Sequence, residues 1–353
     1  MEPLDKPSPY TIQVFVVYPA NGNERPVLDM CELNALVPHD GYLLPDQSWI
    51  TESIGGKRWL ATADITSAFY QRLLHPEDRY HAAVISHRGH EQFAVTMMGY
   101  KRLMDKAFAG LTWCVVSVYV DDICIYADTF AEFLPACEEV FTILSNLGIT
   151  LKAKKCFLGF HSLELLGYLG DHFGITTTAS KSDALRNISF PVILAQLEYF
   201  VGLVNWNRHL IPFFSQRMEP LQRLKTKLLR GAPTGGRARK EYVARTLVEE
   251  TESLRSAFED VTGALADRPR LYHFEPGRPT YAFLDSSKEY GCGLAVYQLT
   301  GDPTTYEKAR LVPLHFMSRE LSEAEKRYWP TDKEMSGLVW QYDVAGHTWS
   351  SLL

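Results

Sequence analysis

The sequence has little of what a disulfide-bonded, zinc-binding or membrane-spanning protein needs. Its six cysteines are scattered, with no Cys-x-x-Cys pair. This spacing indicates neither a disulfide framework nor a zinc site, and it favours a reducing compartment. Cys156 and His161 are close in sequence, but two ligands do not complete a tetrahedral zinc site. The longest apolar runs, such as Val115–Val120, are far too short to cross a bilayer.

The first ten residues, MEPLDKPSPY, also lack the basic and apolar segments of a secretory signal. We therefore expect an intracellular protein that does not associate with membranes. The composition, 46% hydrophobic and 22% charged, is that of a globular protein. A length of 353 residues is enough for two or three domains with their own cores.

The charge balance gives no strong indication of nucleic-acid binding. The net charge is −6, whereas a basic surface is the usual sign of such binding. Basic residues are nevertheless concentrated between Lys225 and Arg245, where Glu241 is the only acid. Together with the turn-forming GAPTGG at 231–236, this composition predicts a basic linker over residues 231–250. The linker could contact a nucleic-acid backbone, although a solvated linker is the simpler interpretation.

Two adjacent aspartates, Asp121 and Asp122, are the clearest chemical signal. They interrupt the apolar sequence CVVSVYVDDICIY, whose β-branched residues predict a hairpin with the aspartates at or beside its turn. Carboxylates in such a setting are costly, because like charges repel and burial disfavours charge. A bound divalent cation would offset both effects. The plain alternative is a solvated turn that contains two aspartates.

A third carboxylate, Asp64, lies near the end of a predicted strand over Trp59–Ile65. Two-metal nucleotidyl transfer requires carboxylates from separate strands that converge on both ions. One strand-end aspartate and an aspartate pair in a hairpin supply that set. Alone, Asp64 would be interpreted as a cap or turn residue.

The remaining pattern predicts an α+β protein. Strands are expected near Thr11–Tyr18, Pro26–Met30, Thr150–Leu151, Leu165–Leu169, Thr280–Leu284 and Gly293–Leu299. Helices are expected over Ala131–Leu147, within Ser180–Leu229, and over Glu252–Leu265 and Thr331–Tyr342.

Five segments, in this order, resemble the Pol polyprotein of gypsy-class LTR retrotransposons, especially fungal ones: RPVLDMCELNALVPHDGYLLP, WLATADITSAFYQRLLHPEDRYHAAV, SVYVDDICIYADTFAEF, LGITLKAKKCFLGFHSLELLGYLGDHFGITTT and LEYFVGLVNWNRHLIPFFSQRMEPLQRLK. The resemblance implies a right-hand polymerase with fingers, palm and thumb, followed by an RNase H-like α/β domain. The implied divisions are 1–175 for fingers and palm, 176–230 for a helical thumb-like segment, 231–250 for the linker and 251–353 for the RNase H-like domain.

The resemblance assigns roles in the polymerase part. Asp64, Asp121 and Asp122 would be the catalytic residues that hold two Mg²⁺ ions. Phe69 would be the aromatic gate that leaves no room for a ribonucleotide 2′-OH. Arg25 would hold the incoming triphosphate, since guanidinium suits phosphate. Without the family, Phe69 is equally well a core aromatic residue and Arg25 a surface charge.

Two further regions acquire roles from the resemblance. The segment Leu165–Gly170 would be the hairpin that grips the primer end. Downstream, YAFLDSSKEYGCGLAVYQ and LHFMSRELSEAEKRYWPTDKEMSGLVW resemble parts of the family's RNase H domain, with Asp285 and Glu334 as catalytic carboxylates. Without the family, Glu334 is an ordinary helix-surface glutamate. Family domains continue past the position of Leu353 with further acidic residues, so we expect a C-terminally truncated, inactive RNase H-like domain.

Two other departures from the family pattern bear on activity. Cys31 stands where the family usually has arginine, and Met98–Lys101 runs straight into the next predicted helix, where relatives carry about two helical turns more. Two functions therefore stay open. The first is an RNA-directed DNA polymerase that uses an RNA template, a DNA primer and dNTPs and binds an RNA–DNA hybrid. The alternative is a catalytically dead relic or a domesticated nucleic-acid-binding or interaction protein. A two-metal hydrolase that is not a polymerase has the least support.

Overall fold

The computed structural model describes the chain apart from residues 1, 5–7, 19–23, 37–44, 46, 67, 87, 96–99, 287–290, 302–308, 323 and 350–353. It divides into two compact units, Met1–Leu163 and Glu164–Leu353. Among the described residues, no helix combines the length and the apolar composition needed to span a bilayer.

The described residues of the first unit form three sheets and four α-helices. Its strands and helices are β1 (Glu2–Pro3), β2 (Gln13–Val17), β3 (Arg25–Asp29), α1 (Cys31–Leu36), α2 (Gln47–Ser53), β4 (Trp59–Asp64), β5 (Ala83–Ser86), β6 (Gly89–Gln92), α3 (Tyr100–Ala107), β7 (Val116–Tyr119), β8 (Asp122–Ala127), α4 (Phe130–Asn146) and β9 (Phe157–Phe160). Short 3₁₀ helices lie at Ala68–Gln71, Pro76–Ala82 and Ala153–Lys155. The sheet orders are β1-β6-β5, β2-β3 and β7-β8-β4-β9.

The four-stranded sheet β7-β8-β4-β9 carries the aspartates. Its strands are rich in β-branched and small apolar residues, and Ile123 and Ile125 are fully buried between the sheet and its cover. Helix α4 covers the sheet with Val140 and Leu144. It starts at a capping box made by Thr129 and Glu132. The predicted hairpin over Cys114–Tyr126 and the predicted helix over Ala131–Leu147 are confirmed.

In the described part of the second unit, helices pack with two sheets. Its elements are β10 (Ser162–Leu165, which begins in the first unit), β11 (Tyr168–Asp171), β12 (Gly174–Thr177), α5 (Ala179–Arg186), α6 (Leu194–Trp206), α7 (Phe214–Leu229), α8 (Gly236–Arg245), α9 (Glu252–Ala266), β13 (Arg270–Tyr272), β14 (Thr280–Ser286), β15 (Gly291–Thr300), β16 (Arg310–Glu320) and α10 (Pro330–Trp349). Further 3₁₀ helices lie at Arg208–Leu210 and Glu325–Arg327. The sheet orders are β10-β11-β12-β13 and β14-β15-β16.

Three helices build the core of the second unit. Helix α6 buries Leu197, Phe200, Val201 and Val204, the spacing that predicts an amphipathic helix. Helices α7 and α9 pack against each other, and Phe258 of α9 contacts Phe200 with ring centroids 4.7 Å apart.

Two sequence predictions differ from the structure in this unit. The residue pattern predicted a strand near Leu165–Leu169, but Leu166 and Gly167 have φ of 50° and 81° and form the turn between β10 and β11. This turn agrees with the hairpin that the family resemblance implied over Leu165–Gly170, whose contact with a primer end stays a prediction. The predicted linker at 231–250 contains helix α8, whose Arg239 forms an ion pair of 2.7 Å with Glu198 of α6. The compact units divide at 163/164 rather than at 175, 230 or 250, so those three domain boundaries stay predictions.

Candidate active site

Two of the three aspartates face each other across neighbouring strands. Asp64 ends β4, Asp122 begins β8, and the antiparallel register pairs these two residues directly. On the other side of β8, Asp122 pairs with Tyr119 at the end of β7. Like charges placed directly opposite each other destabilise a sheet. The strand register therefore concentrates negative charge at one end of this sheet.

Asp121 lies in the tight turn between β7 and β8. The preceding residue, Val120, has φ of 56°, a region that costs a β-branched residue about 1–3 kcal/mol. The turn is tied to β4, because the Ile65 N–H donates to the Asp121 carbonyl oxygen over 3.1 Å. A bond of 2.9 Å from Gln47 Nε2 of α2 to Tyr119 Oη holds β7 at the same end. These contacts place all three aspartates at one end of the sheet.

A lysine for which the sequence predicted no role also lies at this end of the sheet. The chain after α4 runs beside the end of β4, where the Lys152 N–H donates to the Asp64 carbonyl oxygen over 2.9 Å. Gln71 anchors the same segment by accepting from the Thr150 N–H at 2.7 Å. As a result, Lys155 Nζ lies 2.6 Å from Asp64 Oδ2. Only the sequence LKAKKCF within the matched segment pointed to this region, and nothing in it indicated a partner.

The charges at this end alter the pKa values of two groups. Burial raises the pKa of the Asp122 carboxyl, and the neighbouring charges of Asp121 and Asp64 raise it further, whereas Lys155 opposes the change. The hydrogen bond to Asp64 raises the pKa of the Lys155 ammonium. Asp122 is therefore a partly buried carboxyl beside two other negative charges, and Lys155 acts against their effect on its pKa.

The donor set fits a hard divalent cation. Carboxylate oxygens are the ligands that Mg²⁺ prefers, and the raised pKa of Asp122 shows that added positive charge would be favourable here. The carboxylates are not already arranged around an ion, since no group of three or more His, Cys, Asp or Glu in the described part of the chain has metal-site geometry. In this arrangement one oxygen of Asp64 is engaged by Lys155.

The two residues expected to contact the nucleotide are only partly described. Arg25 begins β3 and pairs with Val17 of β2. Phe69 lies in the 3₁₀ helix Ala68–Gln71, which begins four residues after Asp64. The side chains of Arg25 and Phe69 lie outside the described residues, so their roles stay predictions.

The RNase H-like residues do not share one face of their sheet. Strand pairing places Asp285 opposite Gly293, and Gly293 opposite Ser318, so these three residues share a face. Ser286 pairs with Cys292 on the other face. That other face is the one against α10, because a Cβ built on Gly337 of α10 would lie 2.6 Å from Ser286 Oγ and 3.5 Å from Cys292 Sγ.

Helix α7 contacts the face that carries Asp285. A Cβ on Gly293 would clash with the ring of Phe213, the residue before α7, and the Ser215 N–H donates to Ser318 Oγ over 2.9 Å. Glu334 is an exposed residue of α10, on the opposite side of the sheet. The structure therefore brings Asp64, Asp121 and Asp122 to one end of a sheet, whereas Asp285 lies on the sheet face opposite the one that contacts α10, the helix that carries Glu334.

Comparisons with known proteins match both parts of the chain. Residues 19–170 match the family described as reverse transcriptase (RNA-dependent DNA polymerase), and residues 251–349 match the RNase H-like domain found in reverse transcriptase. The chain is 25% identical over 95% of its length to the retrovirus-related Pol polyprotein from transposon opus of Drosophila melanogaster, and 23% identical over 94% to that from transposon gypsy. It is also 24% identical over 92% to the transposon Tf2-3 polyprotein of Schizosaccharomyces pombe.

The fold has a close counterpart among solved structures. The foamy viral protease-reverse transcriptase in complex with RNA/DNA hybrid superposes with a TM-score of 0.79 at 20% identity, over 97% of this chain and 44% of that chain. The chain spans about a third of the opus and gypsy polyproteins, 33% and 32% of their lengths.

Together, the two matched regions show a reverse transcriptase domain followed by an RNase H-like domain in this chain. Its similarity to the opus, gypsy and Tf2-3 polyproteins extends over more than nine-tenths of its length and is consistent with the resemblance to gypsy-class Pol polyproteins.

Proposed function

We propose that this chain is an RNA-directed DNA polymerase, which extends a DNA primer on an RNA template by two-metal nucleotidyl transfer. The observation that carries this proposal is the cross-strand pair Asp64 and Asp122, with Asp121 in the adjoining turn. The superposition on the foamy viral reverse transcriptase supports the fold that this activity requires.

Asp64, Asp121 and Asp122 would hold two Mg²⁺ ions, which supply Lewis-acid stabilisation of the attacking 3′-oxygen and of the triphosphate. The contribution of the chain itself is rigid placement. The strand pairing fixes Asp64 against Asp122, and the bond from Ile65 N–H to Asp121 O fixes the turn. With these backbone positions fixed, only the carboxylate side chains would need to rotate to bind the ions.

The remaining parts of the site follow from the same proposal. Arg25 binds the triphosphate of the incoming dNTP, and Phe69 excludes a ribonucleotide. The turn at Leu166–Gly167, between β10 and β11, contacts the primer end. Nucleic-acid partners are proposed on the family match and on the neighbouring structures, whose complexes contain RNA/DNA hybrid or double-stranded DNA.

Primer extension tests the proposal. The purified full chain, given Mg²⁺, dNTPs and a labelled DNA primer annealed to an RNA template, should add nucleotides in the order of the template. The Asp121→Asn variant should add none while keeping the circular dichroism spectrum of the wild type. Wild-type protein that binds the primer–template but never extends it would contradict the proposal.

A further inference from the structure

We propose that Lys155 is an internal counter-ion of the polymerase site, which occupies the acidic end of the sheet in the absence of metal and is displaced when a divalent cation binds. This inference rests on the proposed function and extends it to the loading of the metal. Lys155 would be a positioning residue rather than a catalytic one.

The geometry for this role is local and specific. Lys155 Nζ donates to Asp64 Oδ2 over 2.6 Å, a short charge-assisted bond. The Asp64 side chain is 15% exposed, whereas the Lys155 side chain is 55% exposed. The carboxylate is thus fixed in the sheet, and the lysine reaches it from solvent on a flexible stem.

Hydrogen bonds fix the backbone of Lys155, whereas its exposed side chain can rotate away from Asp64. Lys155 ends the 3₁₀ helix Ala153–Lys155, and its N–H donates to the Lys152 carbonyl oxygen over 2.8 Å. Lys152 is itself bonded to the end of β4 through Asp64 O. Rotation about the side-chain bonds can therefore withdraw the ammonium from Asp64 without any change in the strand that carries the aspartate.

The difference in charge between a divalent cation and the Lys155 ammonium favours displacement of the lysine by the metal. A divalent cation brings two charges to Asp64, Asp121 and Asp122, whereas Lys155 brings one. Because Asp64 Oδ2 is engaged by Lys155, a cation that takes this oxygen must first displace the ammonium. The lysine thus weakens metal binding, and in return it limits carboxylate repulsion in the metal-free protein.

The variant Lys155→Met removes the charge and keeps the length of the side chain. Titration of the full chain with Mn²⁺, followed by electron paramagnetic resonance without nucleotide or nucleic acid, should give binding about tenfold tighter than in the wild type. The control Lys154→Met removes the same charge from the neighbouring exposed lysine of the same 3₁₀ helix. It should change the affinity by less than about threefold, because separated surface charges are screened.

The conservative variant Lys155→Arg should restore an affinity near that of the wild type, since guanidinium can pair with Asp64 in place of the ammonium. A merely structural role for Lys155 would instead weaken Mn²⁺ binding in Lys155→Met. Unchanged or weaker binding in Lys155→Met overturns the inference, and so does the absence of millimolar Mn²⁺ binding in both this variant and the wild type.

Asp122→Asn separates this inference from the proposed function. If Asp122→Asn weakens Mn²⁺ binding and Lys155→Met does not tighten it, only the role of Lys155 is rejected. If Asp122→Asn leaves the affinity unchanged, the metal binds elsewhere and the assignment of the polymerase site itself is rejected.

Discussion

The two sheets that carry the expected catalytic carboxylates differ in where strand pairing places these residues. In β7-β8-β4-β9, the register places Asp64 against Asp122 and the turn adds Asp121 at the same end. In β14-β15-β16, Asp285 lies on the face that α7 contacts, and α10, which carries Glu334, covers the other face. Because successive strand residues point to opposite faces, moving a carboxylate by one position along a strand places it on the other face of the sheet.

The two regions also differ in what holds their covering helix. Helix α4 packs against the sheet β7-β8-β4-β9, and the apolar core between them includes Val140 and Leu144. Helix α10 is held partly by a polar network, in which Arg319 of β16 donates two bonds, of 2.8 and 2.6 Å, to Glu325, and Ser336 of α10 donates another to Glu325 over 2.9 Å. Arg319 also lies 5.5 Å from the centre of the Trp340 ring.

The largest expected effect is a loss of primer extension on changing an aspartate of the sheet β7-β8-β4-β9. Asp122→Asn should lower primer extension by more than about 100-fold, because it removes a charge that, under the proposed function, would hold the metal ions, and each 1.36 kcal/mol of lost transition-state stabilisation is tenfold in rate. The matched control is Asp128→Asn, which makes the same change just beyond β8, at an aspartate paired with Lys57. It should leave extension within about threefold of the wild type, since a surface ion pair contributes about 0–1 kcal/mol. Equal losses in the two variants would mean that position in the sheet does not matter.

A second prediction concerns the apolar core under the polymerase sheet. Leu144→Ala in α4 should lower the free energy of unfolding by about 2–5 kcal/mol, because it removes a fully buried side chain and leaves a cavity. Leu134→Ala, at a residue of the same helix that is 53% exposed, should change it by less than about 1 kcal/mol. Urea denaturation followed by tryptophan fluorescence measures both. Similar effects in the two variants would contradict the packing described for α4.

A third prediction concerns the polar network under α10. The bonds from Arg319, and further bonds from Ser322 and Ser336, hold the pKa of Glu325 well below its usual range. A carboxyl whose pKa is lowered by folding stabilises the fold above its unfolded pKa, near 4.5, and this contribution is lost as the pH falls through the folded pKa. Glu325→Gln should therefore cost about 1–3 kcal/mol at pH 7.

The difference in unfolding free energy between wild type and Glu325→Gln should shrink as the pH is lowered below about 4.5. The control Glu320→Gln changes an exposed glutamate at the end of β16 and should have almost no effect at either pH. A difference that stayed constant with pH would show that Glu325 acts through its shape and not through its charge.

The sequence predicted the hairpin that carries Asp121 and Asp122 better than the surroundings of that hairpin, for physical reasons. The two aspartates are adjacent, and apolar β-branched flanks specify the hairpin locally. Lys155 reaches Asp64 only because residues 150–155 run beside β4, a long-range contact that leaves no local pattern. The residue pattern alone gave a strand at Leu166, because leucine rarely adopts positive φ, and only the family resemblance implied a hairpin there. Which face of the sheet α10 covers, and so where Glu334 lies relative to Asp285, is decided by tertiary packing.

The smallest expected effect concerns the RNase H-like domain. Cleavage of an RNA–DNA hybrid needs metals on both the attacking and the leaving oxygen, about 4 Å apart. Asp285 lies on the sheet face opposite α10, which carries Glu334, so the two carboxylates are not gathered on one face to hold such a pair. We therefore expect no cleavage of a labelled hybrid by the full chain with Mg²⁺ or Mn²⁺. Asp285→Asn and Glu334→Gln should change neither the absence of hybrid cleavage nor the rate of primer extension. Metal-dependent cleavage that disappears in both variants would show that the two carboxylates act together, and the opposite faces described for Asp285 and α10 would then be wrong.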